Sequence, residues 1–189
     1  MKRASKIVFG ILFGLAAILF GAFQFLMYQT KQASPLEELT YENEGVHISL
    51  DYSRPSMKGR IIFGGLVPYG EVWRAGANEP THFKTDTDIL LNDKLLPSGE
   101  YTLWIVPFEN EWEVIFNSKD YGWGLDWETG EAARNPDYDE VNLTLPVLQV
   151  DPVQKFTIAV QSNLMSLSWE ESKVEIFINP VYSNTSNNQ

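Results

Sequence analysis

The sequence predicts an all-β domain, an antiparallel β-sandwich or barrel-like fold of about 8–10 short strands, preceded by one N-terminal transmembrane helix. Three observations predict it. Residues 7–28 form an apolar run of 22 residues with no charge and one polar interruption, Gln24. Beyond residue 40, apolar and polar residues alternate in short stretches separated by turn residues, the mark of half-buried strands. No stretch there keeps a helical period beyond about ten residues.

The helix comes first. Its 22 residues reach roughly 33 Å, enough for a hydrocarbon core of about 30 Å. Lys2, Arg3 and Lys6 precede the run and only Lys31 follows it closely, which places the N-terminus in the cytoplasm. A cleaved signal peptide has a shorter apolar core, about 7–15 residues, ending at a small-residue site. No A-x-A-like site follows here, where the chain reads Tyr28-Gln29-Thr30-Lys31-Gln32-Ala33-Ser34. An uncleaved signal anchor is therefore expected, and with no cysteine it is not a lipoprotein anchor. The expected organisation is a cytoplasmic stub and anchor over 1–28, a linker over 29–40, an extracytoplasmic β domain over 41–181, and a disordered Ser/Asn-rich tail over 182–189.

Within the β domain, 46–52 alternates cleanly and 61–63 is a short second run. Further strands are expected over 81–85 and 89–91, the latter meeting a turn at Asn92 and Asp93. Residues 100–106 and 112–117 form a hairpin around Glu109 and Asn110, and 141–150 is split by Pro146. The C-terminal part reads as a three-stranded meander over 156–160, 165–169 and 174–178. Its turns are Ser162-Asn163 and Glu170-Glu171-Ser172.

Four of the 14 cations lie in the first 31 residues, so ten face all 25 acidic residues beyond, a net charge of −15. A domain so acidic has no basic field for nucleic acid. Without cysteine it has no thiol nucleophile and no disulfides, so the fold rests on its own core. The chain also lacks a G-x-S-x-G elbow, a Walker loop, H-E-x-x-H and a dinucleotide fingerprint. Two histidines, His47 and His82, are too few for most zinc sites. Asp137, Asp139 and Glu140 lack an EF-hand spacing, so no metal and no cofactor is assigned.

Three stretches can carry chemistry. Arg54, Lys58, Arg60 and Arg74 concentrate positive charge opposed only by Glu71. Arginine's fork suits either a bound anion or internal carboxylates. Residues 63–82, with four glycines and two prolines, read as a long shaped loop offering Tyr69, Trp73, Arg74, Asn78, Glu79 and His82. Residues 119–140 hold seven carboxylates with Tyr121, Trp123, Trp127 and Tyr138. That composition suits a sugar-stacking platform, and equally a solvated loop with two tryptophans tucked inward.

Several dense motifs occur in order: Tyr52-Ser53-Arg54-Pro55, Lys58-Gly59-Arg60, Val67-Pro68-Tyr69-Gly70, Val72-Trp73-Arg74-Ala75-Gly76-Ala77-Asn78-Glu79, and Leu96-Pro97-Ser98-Gly99-Glu100-Tyr101. Over residues of about 45–180 the chain resembles the bacterial family catalogued as domain of unknown function 2911 (DUF2911). The resemblance implies an exported protein of the cell envelope, and supplies no reaction and no catalytic residues. The leading expectation is a periplasmic domain that binds a small or polymeric, anionic or glycan ligand. Its site would be built from Arg54, Lys58, Arg60, Tyr69, Trp73, Arg74, Asn78, Glu79 and His82. One alternative is an envelope hydrolase with Glu79 as base and Arg54 or Arg74 as electrostatic stabiliser. A second is a structural interaction domain.

Overall fold

The structure, a computed structural model, describes the backbone of residues 2–181 and side chains from Ser5 to Val181. The tail over 182–189, expected to be disordered, lies outside the described residues. The chain divides into two units, Met1–Ala33 and Ser34–Gln189. The first is one helix, α1 (Lys2–Ala33), whose stretch Ser5–Ala33 is long and apolar enough to cross a membrane. Phe9, Phe13, Ile18 and Phe20 stand exposed along it.

The helix outlasts the apolar run: Thr30 Oγ1 donates to the Leu26 carbonyl inside its last turns. It ends where Pro35 disfavours helical geometry at the preceding Ser34. Strand β1 (Leu36–Asn43) follows at once. The stretch 29–40, expected as a linker, is thus helix at one end and strand at the other. It reads as a linker because β1 is an edge strand: Glu37, Glu38 and Glu42 keep it polar, while Leu39 and Tyr41 pack on the core.

The second unit has two antiparallel sheets and no closed barrel. The larger contains β1, β2 (Val46–Ser53), β3 (Thr81–Thr85), β6 (Gly99–Pro107), β7 (Glu111–Asn117) and β8 (Asp139–Pro146), in that order. The smaller runs β5 (Lys94–Leu96), β4 (Ile89–Leu91), β10 (Leu164–Pro180), β9 (Leu148–Gln161). Glu44-Gly45 joins β1 to β2 and Ser162-Asn163 joins β9 to β10, each with two consecutive positive φ values. Such turns match the right-handed twist of hairpin strands. The alternation read from the sequence buries Leu50, Phe83, Trp112 and Phe116 of the large sheet together with Phe156, Trp169 and Ile176 of the small one. A second cluster, Trp104, Val106 and Ile115, lies under Val72, Tyr121 and Ala132. Hence β6 is buried from Tyr101 to its end and reads as a continuous apolar run rather than an alternating one.

Two expectations need correction. Residues 61–63 form a tight turn, not a strand. Gly64 has φ 77°, and a Cβ on Gly65 would lie 2.6 Å from the Ile61 carbonyl oxygen, so the chain folds back on itself. The N–H groups of Leu66 and Val67 return to the carbonyls of Ile61 and Ile62. The C-terminal meander is instead one long hairpin. Glu170, expected in a turn, sits inside β10 at φ 56° where the register with β9 shifts twice. There β9 turns its hydrogen bonds to the segment after β2: Met57 N–H donates to the Gln154 carbonyl, and Phe156 N–H to that of Pro55.

Candidate functional site

The loops that follow β2 and β7 meet around a cleft of about 760 Å³. Its construction begins at Trp73, whose backbone forms an antiparallel bridge to Ile105 of β6, with N–H to O distances of 2.7 Å in both directions. The Trp73 indole N–H donates to the Gly76 carbonyl at 3.0 Å. Its ring stacks on Trp169 at 5.6 Å between centroids and 23° between planes. Phe156 meets it edge-on at 5.0 Å. Backbone, hydrogen bond and rings together hold Trp73 in one place, so the aromatic floor is pre-formed.

Arg74, the next residue, supplies the positive charge. It is half-buried, one Nη1 hydrogen bond reaches the Trp123 carbonyl at 3.3 Å, and its buried Nε has no acceptor among the described residues. Burial pulls its pKa below the ordinary arginine value, and nearby Glu79 partly restores it. Gly124 allows this approach: a Cβ there would lie 2.7 Å from Pro80 Cγ and 3.1 Å from Arg74 Cδ. Arg60 stands at the rim, its guanidinium donating to the carbonyls of Met57 and Ser56. The facing wall is the 119–140 loop, which contributes Leu125 and 129–132. The Asp126 carboxylate accepts from the N–H groups of Glu128 and Thr129 and shapes this wall, which holds the Asp126 carboxyl below its usual pKa. Glu71 and Glu131 are the carboxylates that line the cleft.

Of the residues expected to form the site, Arg60, Trp73 and Arg74 line this cleft. Arg54 is engaged elsewhere: it donates to the Phe156 carbonyl and Thr157 Oγ1, and pairs with Glu37 at 3.5 Å, tying β1 and β2 to β9. Lys58 is exposed at a tight turn with φ 49°. Tyr69 lies across Gly64, where its ring fills the space a Cβ would need. Asn78 is buried with φ 62° and its Nδ2 donates to the Ser34 carbonyl and to Ser53 Oγ. Glu79 acts electrostatically on Arg74 from outside the cleft lining. His82 sits in β3 opposite Asp51 and Thr102.

Sequence reading missed Trp169 and Glu170. The first looked like one more core residue of an alternating strand. The second shapes the site, because Ile62 N–H and Phe63 N–H each donate to its carboxylate at 3.2 Å and so hold the turn beside the cleft. The visible signal was a pair of acids breaking the apolar alternation after Trp169. In the 119–140 loop, Trp127 is 81 % exposed and does not line the cleft. Asp139 is committed to Arg134 and to Asn117 Nδ2, and among the described residues no cluster of three or more metal-ligating side chains occurs.

Residues 34–178 match the family model described as protein of unknown function, DUF2911. No curated protein and no solved structure matches the chain.

Proposed function

Because the chain belongs to the DUF2911 family of proteins of unknown function, we propose that its β domain binds an anionic or glycan ligand in the cell envelope. The carrying observation is the cleft: a fixed indole floor beside the half-buried guanidinium of Arg74. A concave, largely pre-formed site with few polar groups is what small-ligand recognition uses. A hydrolase relying on Glu79 has less support, because Glu79 is not among the residues lining the cleft. The structural-domain reading leaves the cleft without a use.

The test is equilibrium binding of envelope glycans and small organic anions to the full chain in nanodiscs, followed by tryptophan fluorescence. Arg74→Gln is expected to weaken binding about tenfold or more, with its melting temperature close to wild type. Retention of no glycan or anion by the wild-type chain refutes the reading.

We further propose that α1 is an uncleaved, single-pass anchor with its N-terminus cytoplasmic and the β domain periplasmic. The support is the cation asymmetry and the missing cleavage pattern. Intact mass of membrane-extracted protein is expected to match the full chain; a mature chain beginning near Ser34 would refute it.

A further inference from the structure

The stretch over residues 58–70 divides its apolar side chains between two environments. Ile62, Phe63 and Val67 are buried in the core, while Ile61 is 72 % exposed, Leu66 45 % and Tyr69 43 %. The exposed residues are neighbours. A Cβ on Gly65 would lie 3.3 Å from the Ile61 Cβ, and the Tyr69 ring lies across Gly64. Phe108, also exposed, stands beside Gly70, whose N–H donates to the Pro107 carbonyl. Single exposed apolar residues are ordinary, but a contiguous set marks a surface that meets a partner.

Charge and connectivity say which partner. Arg54, Lys84, Arg134 and Lys173 are each paired with a carboxylate. Lys58 and Arg60, exposed next to Ile61, form no ion pair among the described residues. Glu71 is the one carboxylate between residues 54 and 78. The residues beyond 31 carry −15 overall, so an anionic bilayer repels the domain except where cations stand unpaired. Tyrosine beside aliphatic residues and cations is the composition that settles in a membrane interface.

The tether is short. Helix α1 ends at Ala33, five residues past the apolar run, a rise of about 8 Å. A headgroup layer is roughly 5–8 Å thick. Ser34 lines the same cleft as Arg60 and Leu66, and β1 begins at Leu36. The carbonyls of Ser34 and Pro35 accept from Asn78 Nδ2 and the Arg54 N–H, so no slack linker intervenes. With α1 in a bilayer, the Ser34 border of the cleft stays near the headgroups.

We infer that the stretch 58–70 docks on an anionic lipid surface, with Ile61, Leu66 and Tyr69 entering the headgroup layer and Lys58 and Arg60 meeting lipid phosphates. This rests on α1 being an uncleaved anchor and is independent of what the cleft binds.

The chain has no cysteine, so Leu66→Cys and Tyr69→Cys each carry a single nitroxide, with Leu95→Cys as an exposed comparator in β5. The full chain, α1 verified by intact mass, is placed one per nanodisc of phosphatidylglycerol and phosphatidylcholine. The nitroxides at 66 and 69 are expected to lose most of their collisions with an aqueous nickel chelate and to gain collisions with oxygen, while that at 95 does neither. Lys58→Gln lowers the ratio of docked to undocked chain roughly fivefold, and discs of phosphatidylcholine alone weaken docking likewise. If the labelled variants do not fold, a nitroxide-bearing lipid answers on the wild type by broadening the Leu66 and Tyr69 amide signals. Equal nickel access at all three sites, or amides that the lipid label leaves sharp, overturns the inference. Protection that needs two chains in one disc overturns it in favour of self-association. Protection indifferent to lipid charge and to Lys58→Gln overturns the role of the cations. A chain found cleaved near Ser34 in cells removes the anchor reading instead, whatever the nanodisc result.

Discussion

At the scale of single residues, the polar groups that the sequence offers divide between holding the fold and facing the cleft. Tyr52 belongs to the first kind. Its hydroxyl donates to the Ile158 carbonyl and accepts from the Ile158 N–H, both at 3.1 Å, joining the two sheets. Burial raises its phenol pKa, and that of Tyr101 likewise. The unfolded chain therefore ionises first as pH climbs past about 10. Stability from these phenols is complete below that pH and is lost as pH rises through their folded values. Chemical denaturation from pH 8 to 11 is expected to show the decline, and Tyr52→Phe to flatten it. The same variant loses about 1–3 kcal/mol at pH 8, because Ile158 keeps two unpaired groups. Asn78 is likewise structural: Asn78→Ala should cost about 1–3 kcal/mol through its two lost hydrogen bonds and its φ of 62°. Asn78→Gly relieves only the backbone part, so a full rescue in the denaturation midpoint would contradict this account. The sequence showed that arginines gather between 54 and 74. It could not show that Arg54 serves β9 while Arg74 serves the cleft, because that division depends on strands a hundred residues away.

At the scale of elements, period-two patterning was legible wherever a strand has one wet face. Strands β2, β3 and β7 appear where alternation predicted them, and the Ser162-Asn163 turn joins the strands it was expected to join. Legibility failed at β1, an edge strand with a polar surface, and at 61–63, whose apolar residues serve a turn. It failed again at Glu170, where a charged residue sits inside β10 rather than ending it. The physical reason is the same in the last two cases. The Glu170 carboxylate supplies the acceptors that the backbone of Ile62 and Phe63 lacks, a contact between residues 108 apart in sequence. Removing it as Glu170→Ala should destabilise the domain by about 2–4 kcal/mol, with two N–H groups orphaned. Glu170→Gln keeps one acceptor and should lose less. Hydrogen exchange is the sensitive measurement: the Ile62 and Phe63 amides are expected to exchange faster in the alanine variant. Unchanged protection there would mean that the turn holds without Glu170.

At the scale of the whole molecule, the second unit carries its own core, without disulfides, in residues that begin at Ser34. A fragment of residues 34–181 is expected to fold as a soluble, monomeric β domain in reducing cytosol. The start point matters more than alternation alone suggested. Beginning at residue 41 removes the first five residues of β1, which pair with 49–53 of β2. It also removes the Glu37 partner of Arg54, the Ser34 carbonyl that Asn78 holds, and the Pro35 carbonyl that receives the Arg54 N–H. Over 49–53, β2 would then become the edge of the large sheet. Its residues Ile48, Leu50 and Tyr52 are buried, and its exposed backbone groups would offer a pairing edge without the acidic guard of Glu37 and Glu38. The fragment 41–181 should therefore melt well below 34–181 and self-associate as concentration rises. Circular dichroism against temperature and sedimentation velocity compare the two directly. Equal melting temperatures with both fragments monomeric would show that residues 34–40 contribute little, and that the domain needs no more of β1 than Tyr41–Asn43.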